Sequence, residues 1–257
     1  MAYAIVLAAG VGSRMNSTTP KQFLKLKDKE VVCYSLDIFQ EDEHIEYIIL
    51  VTGEEHIEYC QKNIVDKYAY TKVRAVVAGG AERYNSVYNG LKAVESLRLE
   101  DDLMSNAGRK GDTGDDAGAD KEAIVVIHDG ARPFITHFMI QASIEKIKSG
   151  FSGCTVAVPA KDTIKIVEEK NGDIVGVNTP DRNTLYHIQT PQTFDMYKLK
   201  EAYERMLEAE NHKITDDTML LELYMGEQCA IVPGSYENIK LTTPEDMIIG
   251  ERFVQNV

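Results

Sequence analysis

The residues best suited to chemistry lie near the start of the chain, in Leu7–Arg14 (LAAGVGSR) and in Pro20-Lys21-Gln22 just after it. Gly10 and Gly12 remove the Cβ atoms that would hold an anion away from the backbone N–H groups of a turn. Arg14 offers a planar fork of donors, and Lys21 a compact point charge. A bared backbone with two cations suits a triphosphate whose charge shifts during reaction. The plainer alternative is a tight strand–helix turn with incidental basic residues. Two familiar nucleotide loops do not fit. The dinucleotide fingerprint needs a third glycine where Met15 stands, and an acidic residue at the end of the second strand. The P-loop needs Gly-Lys-Ser/Thr after a four-residue gap.

A second constellation is Ile127-His128-Asp129-Gly130-Ala131-Arg132-Pro133. It follows an apolar run, so Asp129 falls at the carboxyl end of a strand. A lone carboxylate with phosphate oxygens and water is an ordinary magnesium environment. Asp129-Gly130 read alone is equally well a simple turn. Arg132, three residues on, adds a cation for a second anion beside the metal. His128 reads as a packed strand-end residue rather than a catalytic base.

The elements that must position these groups alternate along the chain. Strands are expected at Tyr3–Ala8, Tyr47–Thr52, Val73–Ala78, Ala123–His128 and Thr155–Pro159. Val87, Leu91 and Val94 share one helical face, and Val32, Ser35, Leu36 and Phe39 share another. This alternation predicts an α/β fold with a mostly parallel twisted sheet and helices on both faces. In such sheets ligands sit at the carboxyl ends of the strands. Residues 99–121, rich in Gly and Asp, are expected to form a flexible low-complexity loop. TIKIVEEKNGDIVGV alternates apolar and polar residues around Asn171-Gly172, a hairpin turn pair, and LYHIQTPQTF reads as a returning strand. Residues 161–190 are therefore expected to project from the sheet as a β-arm. A lone hairpin is marginal, which points to a partner subunit as its cover. Thr215-Asp216-Asp217-Thr218 and Thr243-Pro244-Glu245-Asp246 each read as a helix start. The carboxylates of Asp216 and Asp217 are then placed at a helix dipole's positive end.

Composition narrows the function classes. The chain has 257 residues and a formal net charge of −13, with a pI near 5.0, and reads as one domain over 1–257. So acidic a protein lacks the basic footprint that nucleic acid or an anionic membrane requires. No apolar run approaches the length of a membrane span, and Ala2–Ala9 lacks the basic flank of a signal peptide. Cys33, Cys60, Cys154 and Cys229 show no metal spacing and read as buried small hydrophobes in a reducing compartment. A cytoplasmic location is expected.

The long pattern LAAGxGSRM…PKQ resembles the sugar-nucleotidyltransferase superfamily. VIHDGARPF, GGAERYNSV, TPDRNTLYHIQTPQTF, TDDTMLLELY and GSYENIKLTTPED narrow it. In that order they resemble the 2-C-methyl-D-erythritol 4-phosphate cytidylyltransferase family, over nearly the whole chain outside 99–121. The resemblance implies a nucleotide-diphospho-sugar-transferase-like, Rossmann-like fold whose β-arm locks a homodimer. It also implies CMP transfer from CTP to a polyol phosphate with magnesium or another divalent cation.

By the same resemblance, Ala8, Ala9, Gly10, Gly12 and Ser13 meet the nucleotide through the loop. Arg14 and Lys21 hold the triphosphate, Gly80 and Ser86 complete the cytosine pocket, and Asp129 positions the metal. Ala81 stands where relatives can carry Asp, which leaves one base or ribose contact open. Arg132, Thr163, Arg182, Thr190 and Lys240 match positions for the acceptor phosphate, with Arg182 and Thr190 expected to serve the neighbouring subunit's site. Arg182 and Lys240 read equally as solvated charges, Thr163 and Thr190 as strand residues, and Glu237 is near the metal in sequence logic only. Ribitol 5-phosphate cytidylyltransferase is the nearest alternative. A non-catalytic nucleotide-binding protein and a dinucleotide-dependent oxidoreductase are more distant ones.

Overall fold

The computed structural model describes residues 2–10, 12, 15, 19–107, 123–209 and 214–254, with the side chains of 105–107 excepted. Five apolar runs form the strands that the alternation requires: β1 (Ala2–Ala8), β4 (Ile45–Thr52), β5 (Val73–Ala78), β6 (Ile124–Asp129) and β7 (Gly153–Pro159). Between β1 and β4 lie a small hairpin, β2 (Lys25–Leu26) and β3 (Lys29–Glu30), and helix α1 (Val31–Glu41). A short helix, α2 (Ile57–Cys60), separates β4 from β5. Helices α3 (Arg83–Ala107) and α4 (His137–Lys148) flank β6.

The arm is the hairpin β8 (Ile166–Lys170) and β9 (Asp173–Asn178), a two-stranded sheet of its own turning through Asn171 and Gly172, both at positive φ. The chain returns as β10 (Tyr186–Asp195) and continues through α5 (Met196–Glu208), α6 (Thr218–Leu220), β11 (Ala230–Pro233) and α7 (Pro244–Val254).

The main sheet has seven strands in the order β11-β7-β10-β6-β1-β4-β5. β1 pairs parallel with β4 and β6, β4 with β5, and β7 with β11. β10 alone runs antiparallel, wedged between β6 and β7. The central strands β1, β4 and β6 are buried on both faces, which explains why they are almost continuously apolar. On β1, Ala2, Ala4, Val6 and Ala8 pack toward α1 and α4, whereas Tyr3 and Ile5 pack toward α3 and α5. A Cβ on Gly90 would lie 2.6 Å from Ile5 Cγ2, so α3 reaches the sheet only because that position is glycine. The four cysteines form no disulfide; Cys33, Cys60 and Cys154 are buried.

The expected loop over 99–121 is corrected in its first part. Leu99–Ala107 continues α3, even though Leu99, Leu103 and Met104 are exposed there. Extending an existing helix carries no nucleation cost, and Leu, Glu, Met and Ala are good helix formers, so buried contacts are unnecessary. The rest of that segment lies outside the described residues. Asp216, not Asp217, takes the capping role at α6: its Oδ1 accepts from Thr218 Oγ1 at 2.7 Å and Met219 N at 3.0 Å. Asp246 Oδ2 likewise accepts from the backbone N–H groups of Thr242 and Thr243 ahead of α7.

Candidate active site

Four neighbouring parallel strands, β6, β1, β4 and β5, end on the same edge of the sheet, and the segments after them enclose a cleft of about 500 Å³. Ala9 and Gly10 line it after β1, Gly53–Glu55 after β4, Gly79–Arg83 after β5, and Asp129 and Ala131 after β6. The loops are tied at their roots. Gly79 N donates to Thr52 O at 2.7 Å, Gly130 N to Leu7 O at 2.8 Å, and the Gln22 amide to Ala8 O. A Cβ on Gly79 would meet both Ala9 Cβ and Ser86 Oγ at 2.7 Å, so this corner closes only around a bare backbone. Gly80 N donates to Ser86 Oγ at 3.1 Å, which fixes the loop on which Gly80 and Ala81 stand.

Gly12 has φ +68°, the left-handed region, and a Cβ there would sit 3.3 Å from Lys21 Cγ. The turn is therefore bared against the stem of Lys21, which is buried and lines the cleft. Ser13 and Arg14 lie outside the described residues.

A second cavity of about 280 Å³ adjoins the first and shares three residues with it: Arg83, Asp129 and Lys240. Arg132, Gln189, Thr190, Gln192, Thr215 and Asp216 form the rest of its polar lining. Asp129 thus stands on the common wall, with Lys240 Nζ at 2.7 Å, Arg83 Nε at 3.5 Å and Arg132 Nε at 4.0 Å from its carboxylate. Burial alone would push the Asp129 carboxyl up. The charges of Arg83, Lys240 and Arg132 outweigh it and hold the group far below the usual carboxylate range. Arg132 is anchored by donation from Nη1 to Asn238 O at 2.8 Å, whereas its buried Nε has no hydrogen-bond partner.

Thr190 and His128 order this wall from below. Thr190 Oγ1 accepts from Asp129 N at 3.1 Å and lies 3.1 Å from His128 Nδ1. His128 Nε2 is 2.9 Å from Arg132 O, a carbonyl that can only accept, so the proton is on Nε2 and Nδ1 receives the threonine hydroxyl. Burial pushes the imidazole down to about 4, partly opposed by the hydrogen bond to Arg132 O. His128 is the packed strand-end residue expected from its sequence position.

The structure brings together Ala9, Gly10, Lys21, Gly80, Ser86 and Asp129 around the larger cleft, and Arg132, Thr190, Asp129 and Lys240 around the smaller. Ala8 ends β1 just beneath, with its carbonyl engaged by Gln22. One expectation is overturned. Thr190 lies in its own chain's site, because β10 slips register between Ile188 and Gln192 and carries that segment to β6. Thr163 and Arg182 behave differently: both are exposed on the arm and line neither cavity, and Arg182 Nη1 donates to Lys161 O at 3.0 Å.

Sequence reasoning missed Arg83, Thr215, Gln189 and Gln192. Arg83 sat in plain view within GGAERYNSV, but nothing along the chain marks its partners.

The sequence profile of the 2-C-methyl-D-erythritol 4-phosphate cytidylyltransferase family matches residues 2–109 and 113–256. A protein of that name from Clostridium botulinum (strain Langeland) is 42% identical over 253 residues, covering 98% of this chain and 97% of its own. One from Geotalea uraniireducens is 40% identical over 254 residues, covering 99% and 97%. Among solved structures, 4-diphosphocytidyl-2C-methyl-D-erythritol synthase from Anaerococcus prevotii superposes with a TM-score of 0.76 at 30% identity, over 99% of this chain and 96% of that one.

Proposed function

The chain belongs to the 2-C-methyl-D-erythritol 4-phosphate cytidylyltransferase family, and we propose that its two adjoining cavities hold CTP and the acceptor phosphate on either side of Asp129. The activity is CTP-dependent cytidylyl transfer to 2-C-methyl-D-erythritol 4-phosphate in isoprenoid biosynthesis. The observation that carries the arrangement is the wall of Arg83, Asp129 and Lys240, common to both cavities.

The larger cleft takes the nucleotide. Its base and ribose lie against Ala8–Gly10 and the Gly80–Ser86 corner, and its phosphates against the backbone at Gly12 and the Lys21 ammonium. The smaller cavity takes the acceptor, whose phosphate suits Arg132 and Lys240. Arg132 Nε makes no hydrogen bond and meets the Asp129 carboxylate only at 4.0 Å, which supports this, since a buried guanidinium donor is costly unless an anion completes it. An oxygen of the acceptor phosphate then attacks the α-phosphorus in line. The new O–P bond forms as the bond to the β-phosphate bridging oxygen breaks, and pyrophosphate leaves with the electron pair. A phosphate monoester has a second pKa of about 6 and is already anionic near neutral pH, so no general base is needed. His128, buried and neutral, orders Thr190 instead. The chain's contribution is placement and charge neutralisation.

Asp129 also fits a divalent cation held jointly with substrate. It is ionised, stands where the two cavities meet, and, among the described residues, no cluster of three or more His, Cys, Asp or Glu could hold a metal unaided. One carboxylate with phosphate oxygens and water is the coordination magnesium accepts. When bound, such an ion neutralises charge on the triphosphate and polarises the α-phosphorus.

The arm pairs two chains. Ile166, Val167, Ile174 and Val177 are exposed on an isolated two-stranded hairpin, a structure that is marginal without cover. Dimerisation would carry Thr163 and Arg182 toward the partner's acceptor cavity. A cytoplasmic location accords with four thiols that form no disulfide and with the absence, among described residues, of a helix long and apolar enough to cross a membrane.

The test is pyrophosphate release from CTP and magnesium with 2-C-methyl-D-erythritol 4-phosphate, ribitol 5-phosphate or no acceptor. Release with the first at a far higher kcat/KM than with ribitol 5-phosphate is expected. Equal release without an acceptor would refute the two-cavity arrangement.

A further inference from the structure

Arg83 is the first residue of α3, directly after the loop that walls the nucleotide cleft, and its side chain lines both cavities. Its Nη1 lies 2.8 Å from Asp217 Oδ2 and its Nε 3.5 Å from Asp129 Oδ1. Asp217 is fully buried, and each side of it is held. Its Oδ1 accepts from Tyr203 OH, and its backbone N–H donates to Gln192 Oε1 at 3.0 Å. Gln192 Nε2 in turn reaches Thr155 Oγ1 at 3.3 Å on β7. One guanidinium therefore joins the loop after β5, the carboxylate on the common wall, and the segment carrying Thr215 and Asp216 into the acceptor cavity.

We propose that Arg83, paired with Asp217, which the Tyr203 hydroxyl holds in turn, is a positioning residue that fixes the nucleotide wall against the acceptor wall at Asp129. This deepens the transfer reading above and rests on it. Three observations support the role. A buried carboxylate such as Asp217 is expensive unless a cation meets it, and Arg83 does so with the charge poised between two sites that must both receive anions. The planar fork addresses two carboxylates in a rigid, pre-organised geometry, which the compact ammonium of a flexible lysine does not fix. The reaction needs two bound groups in near-attack contact, where a displacement of about 1 Å costs on the order of 100-fold in rate. Loosening one wall from the other would thus lower turnover while leaving each cavity able to bind its own ligand.

The experiment compares Arg83→Gln, Arg83→Lys, Asp217→Asn and the double variant Arg83→Gln/Asp217→Asn. It uses initial rates of pyrophosphate release, calorimetric CTP binding and thermal melts. Expected for each single variant is a kcat loss of about 100-fold with both KM values and the CTP Kd changed less than about threefold. The double variant should be no slower than Arg83→Gln by more than about threefold, because both changes break one pair. Arg83→Lys keeps the charge beside Asp217, so it remains informative if Asp217→Asn does not fold. Near wild-type kcat in folded Arg83→Lys, with only a lowered Tm, would reduce the pair to a structural role and overturn the proposal. A raised CTP KM with unchanged kcat would overturn it differently, making Arg83 a direct anion ligand. Absence of turnover in the wild-type protein would instead overturn the transfer reading itself.

Discussion

Lys240 Nζ stands 2.7 Å from Asp129 Oδ2, joining the segment before α7 to the end of β6 on the wall that both cavities share. The lysine is half-buried and sits on the acceptor side with Arg132. In the proposed arrangement Lys240 would offer its charge to the acceptor phosphate. Lys240→Ala should raise KM for the acceptor by about tenfold or more and lower kcat, with CTP affinity changed little. Steady-state kinetics with each substrate varied in turn will check this. A selective rise in the KM for CTP would assign Lys240 to the wrong cavity.

Gly12→Ala tests the bared turn without touching a charge. The residue has φ +68°, and its new Cβ would lie 3.3 Å from Lys21 Cγ. Backbone strain of roughly 1 kcal/mol should lower Tm by a few degrees. Lys21 must also give way, so kcat should fall about tenfold or more as the cation shifts from the phosphates. A melt and a kcat measurement on the same preparation separate the two effects.

Thr190→Val removes the oxygen that accepts from Asp129 N and pairs with His128 Nδ1. The unsatisfied buried N–H should cost about 1–3 kcal/mol in stability, and the loosened carboxylate should reduce kcat. Thr190→Ser keeps the hydroxyl and should recover most of both. Urea denaturation and initial rates on the pair of variants decide the matter.

His128 makes stability depend on pH in a definite direction. Its folded pKa is depressed to about 4 from an ordinary 6.5, so between those values the unfolded chain binds more protons than the folded one. Its contribution is complete above about pH 6.5, falls as the pH drops, and is lost below about 4, with a total on the order of 3 kcal/mol. Asp129, whose carboxyl is held low, adds its own dependence only below the normal carboxylate range. Denaturation of wild type and His128→Gln at pH 7 and pH 5 should show the wild type losing more stability over that interval. Parallel losses would remove His128 as the source.

Much of this was legible before any coordinates. Near-continuous apolar runs such as Tyr3–Ala8 and Ala123–His128 point to a sheet covered on both sides, with Gly10 and Asp129 at its carboxyl edge. Asn171-Gly172 marked the hairpin because both residues take the positive φ that its turn demands. What stayed hidden were relationships across the chain. Asp217 reads as a helix-terminus charge until its burial beside Arg83 and Tyr203 is seen. Thr190 reads as part of an outlying arm until the register slip in β10 carries it to Asp129. Neither burial nor register slip leaves a mark on local composition. Leu99–Ala107 misled for the opposite reason: its polar composition says nothing against a helix that α3 has already nucleated.

A crystal structure with CTP, magnesium and the acceptor phosphate, trapped before transfer, bears most directly on the two-cavity arrangement. The triphosphate should lie along the Gly10–Gly12 turn with Lys21 against it. The α-phosphorus should meet the acceptor oxygen at roughly 3–3.5 Å beside Asp129, with Arg132 and Lys240 on the acceptor phosphate. A nucleotide lodged away from that turn, or an acceptor bound on the far side of the sheet, would contradict it.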